Sequence, residues 1–343
     1  MAIDNSLPLV TPIRVGVIGT GYAARARAQA FGADDRAQLV AIAGHTLEGA
    51  TAFARPYGAD VSDHWQRLIS RADIDLVVVC HINSDHAAVV RAALEAGKAV
   101  VVEYPLALSL AEAQSLVALA EARGLFLHVE HIELLGGLHQ TVKVHLEAMG
   151  TPAYVRYKTV VPKTPAPKKW TYNPDLFGFP LVGALSRLHR LTDLFGSVKT
   201  VTSQLQYDFG GSPSAQTYYT TCRCTAQLTF ANGLLAEVLY GKGEQVWQPA
   251  RYLEIQGDRG ALVFEGDHGT LIQDGVSQPL TLAVRRGLFA KDTAAVLEAL
   301  LDGKPMYVSL QESLYTLTVA TAAERSAATG QTIYLEEGVD AKG

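Results

Sequence analysis

Cysteine is scarce in this sequence: Cys80, Cys222 and Cys224 are the whole complement of its 343 residues. They sit in strand-like apolar runs and not in a metal or redox spacing, so a disulfide framework is excluded and reduced structural thiols are expected. Cys222 and Cys224, two apart, would share one sheet face. Long apolar runs are missing too. Stretches such as Leu76–Cys80 fall far short of the ~20 apolar residues of a membrane-spanning helix. Nor is positive charge in surplus; the net charge is -5, which leaves no broad basic field for nucleic acid. The opening MAIDNSLPLVTP has an acid where a signal peptide has a basic region, and no apolar core. Residues 1–12 therefore read as a flexible leader and the protein as cytoplasmic.

What remains is an ordinary globular composition in a chain too long for one core, since a single core stops growing at roughly 250–300 residues. Two domains are expected. Residues 13–130 alternate short β-branched runs with helical patterns, the strand candidates being 13–18, 38–43, 75–80, 99–102 and 125–129. Such alternation implies a parallel sheet covered by helices on both faces. Ser84 is a candidate cap for a helix ending near Gly97, and Ser109-Leu-Ala-Glu112 reads as a capping box whose helix stops at Gly124.

After a helix at about Leu138 to Met149 the pattern changes to alternating strands with hairpin punctuation, as in Cys222–Phe230, Asn232-Gly233 and Leu234–Tyr240. Arg223, Thr225, Gln227 and Thr229 put a polar face on the first of these strands. Helical segments at Leu181–Phe195 and Asp292–Leu301 are expected to cover the apolar face, with a third at Leu310–Ala328. The fold class is thus an α/β N-terminal Rossmann domain over 13–132 plus an α+β C-terminal domain over 133–343 with a large, mostly antiparallel sheet.

The sharpest motif is Gly19-Thr-Gly21-Tyr22-Ala-Ala24, directly after the first strand and opening a helix. Gly19 permits the tight turn, Gly21 lets backbone N–H groups approach a pyrophosphate, and the small Ala24 allows close helix packing. An acid about 20 residues further on usually binds the ribose 2′-hydroxyl of NAD. Here that place reads Gly44-His45-Thr46, without an acid, and a carboxylate there would repel a 2′-phosphate. NADPH is therefore the expected cofactor, NADH the weaker alternative, with Glu48 the residue that would stand in for the missing acid.

The run into Glu103-Tyr104-Pro105, with Asn83-Ser-Asp-His86 after the strand ending at Cys80, resembles the Gfo/Idh/MocA oxidoreductase family. That family carries Glu-Lys-Pro beside the nicotinamide and a later Asp-x-x-x-His pair for sugar hydroxyls. Here Tyr104 replaces the lysine, and Ser186 and Arg190 replace the pair, so the groups that remove a hydroxyl proton are gone. These departures resemble the biliverdin reductase branch, cyanobacterial type, in blocks along nearly the whole chain: 103–108, 128–137, 165–172, 177–182, the stretch around Arg187, and 285–289.

The resemblance implies hydride transfer from NADPH to the C10 methine of biliverdin IXα, with protonation of a pyrrole nitrogen to give bilirubin. It places His81, Asn83, His86, Glu103 and Tyr104 at the cofactor. Guanidinium is a poor direct acid, so Arg187 is expected to stabilise charge or orient a proton-carrying water, and Arg190 to hold substrate or pair with Asp193. Tyr104 would stack or hydrogen-bond beside the nicotinamide. Glu130 and His131, at a strand's C-terminal end, are candidates for the substrate, as is Lys169 with Lys163 and Lys168 in a proline-flanked loop suited to a lid. His128, Glu130, His131 and Glu133 cannot all bind one metal, because strand neighbours point to opposite faces. A sugar or polyol dehydrogenase and a non-catalytic NADP(H) sensor are the competing readings.

Overall fold

The computed structural model describes residues 10–211, 217–283 and 286–336. Most of the expected leader, and Arg285 of the 285–289 block, lie outside them. The chain divides into two compact units, one of residues up to Ile132 together with Gly287–Leu314, the other of Glu133–Arg286 and Tyr315 onward.

In the first unit six parallel strands, β1 (Ile13–Ile18), β2 (Ala37–Ala43), β3 (Asp60–Ser62), β4 (Leu76–Val79), β5 (Ala99–Val102) and β6 (Leu127–Val129), are ordered β3-β2-β1-β4-β5-β6. β4 and β5 are buried at every residue, as expected of strands covered on both faces. Helix α1 (Tyr22–Gly32) follows the glycine loop, and α2 (Leu47–Ala54) follows β2. Ser109 does start its helix, Leu110–Arg123, but its side chain makes no capping bond; the helix ends at Gly124, φ 61°. Ser84 is no cap either: its hydroxyl bonds Asp85, and the helix begins at His86.

The helix Leu288–Asp302 corrects two expectations. It was expected to cover the second sheet, with the domain boundary a single break at 132. Instead Val296, Leu297 and Leu300 join the core of Ile13, Val15 and Phe31 in the first unit. Asp292, one turn before Val296, is buried and ion-paired with Arg27 of α1. A buried carboxylate can settle only where a buried cation meets it, and in this fold that cation is on α1.

The second unit is built on a nine-stranded sheet of order β14-β13-β12-β11-β7-β10-β9-β8-β15. Its strands are β7 (Pro152–Pro162), β8 (Val198–Asp208), β9 (Thr221–Phe230), β10 (Leu235–Gly243), β11 (Ala250–Gly257), β12 (Gly260–Glu265), β13 (His268–Gln273), β14 (Val276–Leu280) and β15 (Ile333–Tyr334). All pairings are antiparallel except β7 with β10. On β9 Cys222, Cys224, Ala226 and Leu228 are buried, while Arg223, Thr225, Gln227 and Thr229 are half-buried or exposed. The expected helix Leu181–Phe195 is broken at Ala184: Gly183 lies so close to Phe177 that an added Cβ would come within 2.5 Å of its carbonyl oxygen. The helix proper is Ser186–Phe195, whose Leu188, Leu191 and Phe195 are buried.

Candidate active site

The glycine loop is shaped by two different demands. Gly19 has φ +124°, and a Cβ there would sit 2.2 Å from the Cys80 carbonyl oxygen; only glycine permits the turn. Gly21 has an ordinary φ of -75° and caps α1 without a side-chain bond. A Cβ on it would meet no described atom within 4 Å. The first turn of α1 has no acidic residue, so its leading N–H groups and positive dipole end suit an anion. Ala24 is fully buried beneath, and exposed Tyr22 meets Phe289 edge-on at 6.0 Å. Loop, helix end and cleared backbone fit a dinucleotide pyrophosphate.

At the end of β2, a Cβ on Gly44 would press to 2.7 Å from Thr20. His45 and Thr46 are exposed. The Thr46 hydroxyl accepts from the Gly49 N–H at 3.2 Å, capping α2, and its own proton is left to donate. Glu48 stands in the first turn of α2.

The Glu103–Tyr104–Pro105 turn leaves β5 through a cis Tyr104–Pro105 bond. His86, assigned to the cofactor from sequence, is 1% exposed, with Nδ1 2.7 Å from the Pro105 carbonyl and Nε2 3.1 Å from that of His81. Its ring braces the turn from behind, and burial lowers its pKa. Asn83 is likewise buried, while His81 lies 2.8 Å from Asp85. Glu103 accepts from Arg27 Nε at 2.9 Å, and the Tyr104 ring stacks on His131 at 5.7 Å, 5° from parallel.

Glu130 and His131, read as substrate residues, are each 1% exposed. The His131 ring bonds Ser313 at 2.9 Å and Glu130 bonds Glu103, so both support the turn. They directly follow β6, and tertiary partners on β5 and the 287–314 segment draw their side chains inward. Beneath them fully buried Arg27 bridges Glu103 and Asp292; Asp292 also accepts from Tyr307 at 2.6 Å and lies 2.9 Å from His128 Nε2. Arg27, Asp292 and Tyr307 escaped the sequence reading. A signal existed: Ala24, Arg27, Ala28 and Phe31 are spaced as one helical stripe, and an arginine inside an apolar stripe calls for a buried anion.

In the second unit Arg187 is half-buried and donates to the Ser186 hydroxyl at 2.7 Å. Arg190 is 3% exposed; it reaches Glu133 at 3.3 Å and lies over the Tyr157 ring at 5.8 Å. The expected Arg190–Asp193 pair is absent, since Asp193 is held by His139 at 2.7 Å and Lys143 at 2.8 Å. Lys163, Lys168 and Lys169 are exposed. Their loop is tied to β10 and the residue after it, by Lys163 N–H to the Gly243 carbonyl and Ala166 N–H to Glu244, which suits a fixed wall better than a lid.

Comparison with known proteins agrees with this architecture. Residues 13–131 match the Gfo/Idh/MocA oxidoreductase family, NAD-binding Rossmann fold, and residues 143–335 match that family's C-terminal alpha/beta domain. The chain is 48% identical to the biliverdin reductase of Synechocystis sp. PCC 6803, whose crystal structure holds biliverdin and NADP+; the TM-score is 0.90, covering 93% of this chain and 100% of that one. Over 138 residues it is 36% identical to Homo sapiens biliverdin reductase A, covering 40% of this chain and 44% of the human protein, so the match spans less than half of that relative. An aldose-aldose oxidoreductase from Caulobacter crescentus, 21% identical with a TM-score of 0.81 over 94% of this chain and 99% of its own, shares the fold. The chain belongs to the Gfo/Idh/MocA oxidoreductase family.

Proposed function

We propose that the chain reduces biliverdin IXα to bilirubin with NADPH, the first unit binding the cofactor and the second the bilin. The observation that carries this reading is the 48% identity, over the whole length of the other chain, to a reductase solved with biliverdin and NADP+. When bound, NADPH supplies the hydride for the C10 methine. Gly19, Gly21 and the α1 N-terminus hold the pyrophosphate, while His45 and Thr46 donate to the 2′-phosphate. Glu103 and Tyr104 border the nicotinamide, Tyr104 offering a ring held flat by His131. Arg187 orients the water that brings a proton to the pyrrole nitrogen, and Ser186 steadies its guanidinium. Lys169 offers an exposed cation to a propionate. Arg190, buried on Glu133, acts behind the surface as a support.

Among the described residues no helix is long and apolar enough to cross a membrane. A reducing, cytoplasmic setting is supported by three unpaired cysteines, of which Cys224 has its thiol pushed up to about 12 by burial. The test is direct: mixing protein, NADPH and biliverdin should replace the long-wavelength absorption of biliverdin with that of bilirubin, while myo-inositol or glucose with NADP+ yields no NADPH. Oxidation of either sugar, or NADPH binding without any bilin reduction, refutes the assignment.

A further inference from the structure

Residues 130 and 131 meet residues 103 and 104 one for one. β5 and β6 are paired through Val102 and Val129, and the Glu130 N–H donates to the Val102 carbonyl at 2.8 Å. Beyond that last rung the side chains continue the pairing, Glu130 bonded to Glu103 and His131 stacked on Tyr104. The Ile132 N–H also donates to Glu130, and the Glu130 carboxyl is sealed from solvent.

Two ionised carboxylates have acceptors only, so a hydrogen bond between them requires a proton on one. Glu103 already accepts from Arg27 Nε and lies 3.9 Å from Cys80 Sγ; Glu130 is the member left to carry it. We propose that Glu130 is a positioning residue: bearing the proton of a buried carboxyl–carboxylate bond, it locks Glu103 and so sets the Glu103–Tyr104–Pro105 turn against the cofactor. The inference rests on the NADPH reading above.

The groups facing Glu130 explain why the lock is conditional. Glu103 at the end of β5, Arg27 of α1, Asp292 of the helix Leu288–Asp302, Cys80 after β4 and Tyr307 surround it. Arg27 is already shared by two carboxylates, Glu103 and Asp292, and His128 is taken up by Asp292, so a third buried negative charge has no cation of its own. Burial first, then the Glu103 charge, pushes the Glu130 acid well above the usual carboxylate range. A raised acid contributes its interaction while protonated and loses it as pH rises through the folded-state value.

The experiment is NADPH titration by fluorescence, without bilin, from about pH 7 to pH 10, on wild type, E130Q and E130A, with a thermal melt at each pH. Wild-type affinity should fall by about tenfold across the range, as expected if one proton is linked to binding over one pK unit. E130Q, whose amide donates at every pH, should give a flat profile over the same range, at most about a threefold change. E130A should bind several-fold more weakly already at the lower end; if it does not fold, the wild-type and E130Q profiles still decide. A flat wild-type profile, or an E130Q profile that falls as steeply as wild type, overturns the inference. Wild type that binds no NADPH at any pH overturns the cofactor reading instead, and the inference with it.

Discussion

Gly19 and Gly21 stand two apart in one loop, yet their substitution should fail in opposite ways. For Gly19→Ala the added Cβ lies 2.2 Å from the Cys80 carbonyl oxygen, and φ +124° is foreign to an L side chain. Backbone strain of about 1–3 kcal/mol and overpacking of about 1–3 kcal/mol add to roughly 2–6 kcal/mol. At roughly 2–4 °C per kcal/mol for a unit of this size, the melting temperature should drop by roughly 4–24 °C. For Gly21→Val the side chain meets nothing described within 4 Å, at φ -75°. Losing a glycine N-cap costs about 0.5–1 kcal/mol, and the lower entropy of the unfolded chain offsets about as much. The fold should therefore stay within about 3 °C of wild type. The branched side chain nevertheless stands where the pyrophosphate must approach, and each lost charge-assisted hydrogen bond is worth about 1.5–3 kcal/mol. The NADPH dissociation constant should rise at least about tenfold. Thermal melts with and without NADPH, plus a fluorescence titration, separate the two effects. A Gly21→Val protein that binds NADPH as wild type does, or a Gly19→Ala protein as stable as wild type, refutes the assigned loop geometry.

Three further outcomes are expected. His45→Asp should move the kcat/KM preference from NADPH toward NADH, because a carboxylate repels a 2′-phosphate and accepts from a 2′-hydroxyl; an unchanged ratio would remove this residue from the 2′ site. Arg187→Ala should keep NADPH binding and lower kcat by at least about tenfold, or ~1.4 kcal/mol, with little rescue by Arg187→Lys, whose ammonium lacks the planar fork. A wild-type single-turnover rate in Arg187→Ala would reduce that residue to a structural part. Asp292→Asn should destabilise by about 3–5 kcal/mol, because it leaves buried Arg27 one carboxylate short. Despite burial, Arg27 and His128 hold Asp292 below the usual carboxylate range, so its contribution is present above the unfolded-state value and lost only as pH falls through the lower folded one. Melts across pH should show the wild-type advantage constant near neutrality and shrinking only in strong acid.

The elements near the first glycines were legible because the forces that build them are local. An apolar β-branched strand, a glycine turn and a small-residue helix lie within twenty residues, and each is specified by backbone sterics and periodicity. The β9–β10 hairpin was legible for the same reason, its Asn232-Gly233 turn and alternating face requiring no distant partner. The three-residue strand β3 left no periodic trace. The parallel pairing of β7 with β10 joins segments more than 70 residues apart, and nothing local announces it.

By itself, then, the sequence determined two kinds of layer, the nucleotide-binding turn and the absence of an acid after β2, all matters of spacing and residue type. Tertiary structure alone decided which charges meet. Arg27 finds Asp292 across 265 positions, Arg190 chooses Glu133 over the nearby Asp193, and Glu130 and His131 turn inward to brace the turn before them. The physical reason is that a buried charge is stable only beside its complement, and a one-dimensional pattern records that a charge is buried without recording what lies opposite.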